Sequence, residues 1–283
     1  ECCEYNQIVS LLVRASLYLF DDPLDDIQID AIQAIRGVGE NININDVPSL
    51  IKEVCETLES ICSVSDVRGF TKPESFEALD LLIEAAFQTK DQSAIESACT
   101  TIATVVPQLS EAPISTRKLI AKCVYQIQVF SQPLVQLKIL KASRALFEKA
   151  TSERQMLVNS LPVAYIRLFR NGNLSIQTAA SDALCSLAKK ISTPTLIIRC
   201  LLQIIKTQEQ NISSTVLNAI ITIIKGIKLT EEETDEYIPI VSKMLKNNKQ
   251  AMRDLTAQTI AAILLSSTPE KLISIAKNSE LLQ

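Results

Sequence analysis

The sequence predicts an all-α fold, a right-handed α-solenoid of about six antiparallel helix pairs. Three observations predict it. Apolar residues recur at helical spacing along nearly the whole chain. The apolar content is 47% but aromatics are only 4%, with no Trp, so Ile, Leu, Val and Ala make the core; five Gly in 283 residues are too few for a sheet with many tight turns. The third is a recurring helix that follows a short polar loop, seen at residues 173–188 and again at 248–264. A small residue followed by an aliphatic one marks each copy: Ala34-Ile35, Thr101-Ile102, Ala145-Leu146, Ala183-Leu184, Ala219-Ile220 and Thr259-Ile260. The steps between markers are 67, 44, 38, 36 and 40 residues, and a period of about 40 is that of a helical solenoid.

The first helix is expected over residues 5–20, with Ile8, Leu11, Leu12, Ala15 and Leu19 as its inward stripe. Asp21-Asp22-Pro23 breaks it. The second, over 25–38, turns Ile27, Ala31, Ile32 and Ile35 inward and stops at Gly39. A further amphipathic helix over 47–64 accounts for the long 67-residue step, and a loop follows at 65–73. Helices at 74–88 and 92–106 form the next pair. From residue 114 the pattern is regular: 115–130 with 133–150, 152–170 with 174–191, 194–206 with 212–227, and 230–246 with 249–265. Thr193 before Pro194 is a cap with Pro at the first helical position, and Thr230 before Glu231-Glu232-Glu233 is a capping box. A last helix opens at Pro269. The loops inside pairs are short, which makes partners antiparallel. The whole chain, 1–283, reads as one helical-repeat domain with sub-arrays at 1–110 and 111–283; with Glu1 in place of Met, it reads as a piece of a longer protein.

Composition narrows the function. A net charge of −4 argues against a general phosphate-binding surface. Eight Cys lie mostly in apolar helical stretches, without a CxxC pair, and read as small buried hydrophobes in a reducing, cytoplasmic setting. There is no His, no Gly-rich phosphate loop and no hydrolase or metalloprotease motif, so neither enzyme activity, cofactor nor metal is expected. The carboxylates at Asp21, Asp22, Asp25 and Asp26 and at Glu231–Glu233 read as solvated helix starts. The sequons at Asn173 and Asn211 fall at helix starts, where capping is the simpler reading.

Met252, Arg253, Thr256, Ala257 and Ile260 follow the second-helix pattern of HEAT repeats, as do Ile176, Gln177, Ala179, Ala180, Ala183 and Leu184 with Gln177 at the basic position. Pro162 and Pro239 match loosely the Pro common in HEAT first helices. The chain therefore resembles HEAT and armadillo repeat proteins over nearly its whole length; a third, armadillo-type helix could lie in 47–64. The resemblance implies a non-enzymatic protein-interaction scaffold or adaptor. The absence of Trp speaks against an armadillo-type peptide groove.

Solenoids bind partners on a helix face or on the ridge of pair loops. On the ridge the sequence offers Phe20, Lys90, Arg170, Asn173, Lys206, Lys246 and Lys249, with Arg253 one turn on. A basic ridge at one end of an acidic chain suits a protein partner with an acidic surface. In this it is similar to TOG domains, which implies tubulin and a cytoskeletal site as the alternative to a generic scaffold. TOG domains place an aromatic in the first pair loop, and only Phe20, beside Asp21 and Asp22, is available here. On the helices, Arg36, Arg144, Gln177 and Asn218 could hydrogen-bond a partner. No nucleic acid and no membrane insertion are expected.

Overall fold

A computed structural model gives the structure, which describes residues 2–20, 22–64, 73–150, 160–170, 172–207 and 213–267. Residues 152–159 of the helix expected at 152–170, residues 65–72 of the expected loop and the helix expected from Pro269 lie outside these residues. The described residues form helices and connecting turns. They divide into two compact units, Glu1–Leu157 and Val158–Gln283. The division falls well beyond residue 110, because helices on either side of that position stack on each other.

The first unit holds α1 (Cys2–Leu19), α2 (Asp25–Asn41), α3 (Val47–Val64), α4 (Pro73–Gln88), α5 (Gln92–Val105), α6 (Thr116–Val129) and α7 (Pro133–Lys149). Odd-numbered helices stack in one layer, α1 on α3 on α5 on α7, and α2 stacks on α4 in the other. α6 joins that second layer through Gln126, whose Nε2 donates to the Phe87 carbonyl at 3.2 Å, and through the Lys118–Glu84 ion pair. The second unit holds α8 (Leu161–Leu168), α9 (Leu174–Ala188), α10 (Thr195–Thr207), α11 (Ser214–Ile224), α12 (Glu231–Ser242) and α13 (Gln250–Leu265). Here α8, α10 and α12 make one layer and α9, α11 and α13 the other. This two-layer stacking is that of an α-solenoid.

The layers correct the repeat register. Ala34-Ile35 lies on α2, outside the layer that carries Thr101-Ile102 on α5 and Ala145-Leu146 on α7. The equivalent buried pairs are Ser16-Leu17 on α1 and Thr57-Leu58 on α3. With them the steps along the chain become 41, 44, 44, 38, 36 and 40 residues, and the 67-residue step disappears. Thus α3 is a regular member of the stack rather than an additional helix. Small side chains at the marker let neighbouring helices of a layer approach, while the following aliphatic fills the space between them.

Three further expectations change. The stripe Ile8, Leu11, Leu12, Ala15 and Leu19 faces solvent, and α1 packs instead through Val13, Ser16, Leu17 and Phe20. α1 is apolar on two faces, and only contact with α2 and α3 chooses between them. Gly39 does not stop α2, which runs on to Asn41. A Cβ on Gly39 would stand 3.0 Å from the Leu81 Cβ, so this glycine lets α2 and α4 pack closely. Finally, α10 starts at Thr195, just past the expected Pro194.

Helix ends follow the sequence signals elsewhere. Thr230 and Glu233 form the reciprocal capping box of α12, and Asp91 caps α5. Cys55, Cys99 and Cys123 are buried, Cys62, Cys185 and Cys200 half-buried, and all six are free thiols. Burial pushes the Cys55 and Cys99 thiols up, away from reactive thiolate.

Candidate partner-binding surfaces

Loop parity decides which residues share an edge. A chain leaving an odd-numbered helix of the first unit turns at one edge, and a chain leaving an even-numbered helix turns at the other. Phe20 ends α1, whereas Lys90 follows α4, so the two lie on opposite edges. Phe20 is also only 1% exposed and belongs to the core, so it presents no aromatic to a partner. Lys90 is exposed, in the left-handed conformation at φ 59°, between the end of α4 and the Asp91 cap of α5.

The second unit follows the same alternation. The ends of α8, α10 and α12 and the starts of α9, α11 and α13 lie at one edge, which carries Arg170, Lys206, Lys246 and Lys249, all exposed. Arg170, Lys206 and Lys246 follow or close helix C-termini, where the backbone dipole favours cations. Glu231, Glu232 and Glu233 open α12 at the opposite edge. The ridge also presents apolar surface that charge counting overlooked: Leu174 is 62% exposed beside the Arg170 loop, and Leu245 is exposed beside Lys246.

Two of the expected ridge residues are occupied in holding the loops. Asn173 caps α9, its Oδ1 accepting from the Ser175 N–H at 2.9 Å and the Ile176 N–H at 3.4 Å. Arg253 donates from Nη1 to the Asn247 carbonyl at 2.7 Å and the Asn248 carbonyl at 3.3 Å, and from Nη2 to Gln250. It is the fourth residue of α13, and the same position elsewhere makes the same reach. Gln177 of α9 donates to the Phe169 carbonyl at 3.0 Å, Gln136 of α7 to the Phe130 carbonyl at 2.8 Å, and Gln28 of α2 to the Asp22 carbonyl at 2.5 Å. The basic or amide residue of the repeat pattern is a loop brace. Asn211 lies outside the described residues, and Ser213 caps α11.

Charges on the helix faces are largely engaged within the stack. Arg14 pairs with Glu53 across α1 and α3, Arg36 with Glu77 across α2 and α4, Lys138 with Glu96 across α7 and α5, and Arg199 with Glu236 across α10 and α12. Arg144 pairs along its own helix with Glu148 at 2.8 Å. Besides the thiols, burial displaces a carboxyl and a phenol. Desolvation raises the Asp80 carboxyl to about 6 and the Tyr237 phenol to about 12. Among the described residues no group of His, Cys, Asp and Glu could hold a metal ion, and no helix is long and apolar enough to cross a membrane.

A groove of about 1220 Å³ opens between α1, α2 and α3. Ile8, Leu11 and Leu12 form its α1 wall, Val38 lies on α2 and Leu50 on α3, while Asp46 and Glu53 bring carboxylates to it. Apolar periodicity does not point to it, because the α1 stripe reads as core.

No known protein family and no curated protein matches the chain. Among solved structures, it is similar to a designed armadillo repeat protein in complex with the peptide (KR)4, at 14% identity and a TM-score of 0.47, over 89% of this chain and 99% of that one. It is also similar to an engineered protein from a structural genomics consortium, at 10% identity and a TM-score of 0.45, over 90% and 97%.

Proposed function

We propose that this chain is a non-enzymatic protein-binding scaffold whose second unit meets an acidic protein surface along its pair-loop edge. The observation that carries the reading is the coincidence of exposed Arg170, Lys206, Lys246 and Lys249 at the same edge of three successive helix pairs, with the carboxylates of α12 at the other. Exposed Leu174 and Leu245 add apolar contact area between the cations. Cations steer and orient an acidic partner, and apolar contacts hold it. Free thiols, buried or half-buried among the described residues, suit a reducing, cytoplasmic setting.

Tubulin is the narrower version of that partner, and it would place the protein at the cytoskeleton. The buried Phe20 does not serve this version, which rests on the basic edge alone. Size-exclusion co-elution with tubulin at low and moderate salt tests both levels, with an acidic but unrelated protein alongside. Co-elution that falls with salt and is lost in the Arg170→Glu, Lys206→Glu, Lys249→Glu variant supports the acidic-partner reading, and preference for tubulin supports the narrow one. Binding to neither protein, or binding that the triple variant retains, overturns the assignment of this edge.

A further inference from the structure

We infer that the basic edge of the second unit takes an acidic segment in polyproline-II conformation, with a carboxylate at every third residue. This rests on the reading of that edge as the binding surface, and it adds the conformation and charge spacing of the partner.

Arg170, Lys206 and Lys246 hold one position in three successive repeats. Each stands 13 residues before the marker of its repeat, at Ala183, Ala219 and Thr259, so the steps between the cations are 36 and 40 residues, as between the markers. Each lies at a helix end in one layer: Arg170 just past α8, Lys206 in the last turn of α10, and Lys246 at the close of the 3₁₀ turn that follows α12. These helices stack side by side, α8 on α10 on α12. The three cations therefore form a row across the layer, one per repeat. Helix ends of this polarity favour cations in general, yet the equivalent positions before Thr101 and Ala145 in the first unit hold Gln88 and Gln132. None of the three side chains is in an ion pair or hydrogen bond with a described residue, whereas Arg199 in the same layer is held by Glu236.

The spacing of the row selects the conformation of the partner. Packed neighbouring helices lie about 8–10 Å apart, and cations at equivalent helix ends share that interval. A polyproline-II chain has three residues per turn and rises about 3.1 Å per residue, so side chains at i, i+3 and i+6 share one face about 9 Å apart. A β-strand repeats a face every second residue, at about 7 Å, which falls out of step with the row. An α-helix returns to one face every seven residues, at about 10.5 Å, but it docks through a continuous apolar stripe. Among the described residues this edge exposes Leu174 and Leu245, two repeats apart, which make no stripe. An extended segment needs none, and its carboxylates meet the row one per repeat.

The test measures fluorescence anisotropy at low salt with the full chain and a labelled peptide of four Glu-Pro-Pro triplets. A twin of the same composition has its four glutamates contiguous, and an alanine-rich helix carries glutamates at i, i+7 and i+14. The triplet peptide is expected to bind at least about threefold more tightly than either, and to lose about tenfold or more in the Arg170→Glu, Lys206→Glu, Lys246→Glu variant. Lys225→Glu with Lys228→Glu, at the opposite edge, is expected to keep the affinity, and melting curves check that both variants stay folded. Equal binding of the three peptides, tighter binding of the helix, or an equal loss in the opposite-edge variant overturns the inference. If a folded acidic protein binds through the row while the triplet peptide has no advantage, the edge stands as a binding surface and the extended segment falls. If neither binds, the reading of the edge falls and takes this inference with it.

Discussion

The guanidinium of Arg253 reaches back over its own loop to the carbonyl of Asn247, 2.7 Å away, and so ties the end of α12 to the start of α13. The same reach from Gln28, Gln136 and Gln177 requires only an N–H donor, with no charge. Arg253→Gln is therefore expected to hold the loop and change stability by less than about 0.5 kcal/mol, while Arg253→Ala loses about 1 kcal/mol in urea unfolding. Equal losses in the two variants would show that charge, rather than the brace, is what the position requires.

Asp80 gives the first unit a pH dependence. The carboxyl sits half-buried on α4, with Glu77, Glu84, Lys118 and Ser115 around it, and its Oδ1 accepts no hydrogen bond. Desolvation raises its folded-state value to about 6, above the 3.8 of a free side chain. The folded state then binds more protons than the unfolded state between about pH 4 and 6, so this group makes stability fall as pH rises through that window. Water still reaches part of the group, so the effect is on the order of 1 kcal/mol. Asp80→Asn is expected to flatten the stability profile between about pH 4 and 6 and to raise stability at pH 7, as read from thermal melts across that range.

The two glycines of α2 separate helix propensity from packing. A Cβ at Gly37 meets open space, so Gly37→Ala is expected to stabilise by about 0.5–1 kcal/mol. At Gly39 the same methyl would press on the Leu81 Cβ at 3.0 Å, an atom fixed to the α4 backbone that cannot swing aside. Gly39→Ala is expected to cancel that gain or reverse it, because α2 and α4 must part to admit the methyl. Denaturant midpoints of the two variants, measured side by side, decide the matter.

Much of the fold was legible because helices announce themselves locally. Val47–Val64 ends where its apolar period ends, and Thr230 with Glu233 shows a helix start four residues at a time. What local pattern cannot express is which neighbour a face meets. The Ala34-Ile35 pair resembles the true markers because α2 also buries a small-and-aliphatic seam, and only stacking reveals that the seam belongs to the other layer. The stripe of α1 is as periodic as any buried one, yet it faces out. Among the proposed ridge residues, exposure of Arg170, Lys206, Lys246 and Lys249 follows from their loops. The work of Arg253 was hidden, since the carbonyls it serves are assembled by the turn itself.

The ties between successive helices of a layer all span about one period of chain: Arg14 to Glu53 is 39 residues, Phe87 to Gln126 is 39, and Ile224 to Ser266 is 42. No knot of distant segments has to assemble before any part of a unit gains stability, so search during folding is short and each closed turn is rewarded at once. The same arrangement limits how sharply the structure lets go. Pulled from one end, such a stack yields turn by turn, each released helix leaving the next still seated on its neighbour, and resistance comes as a series of small steps rather than a single rupture.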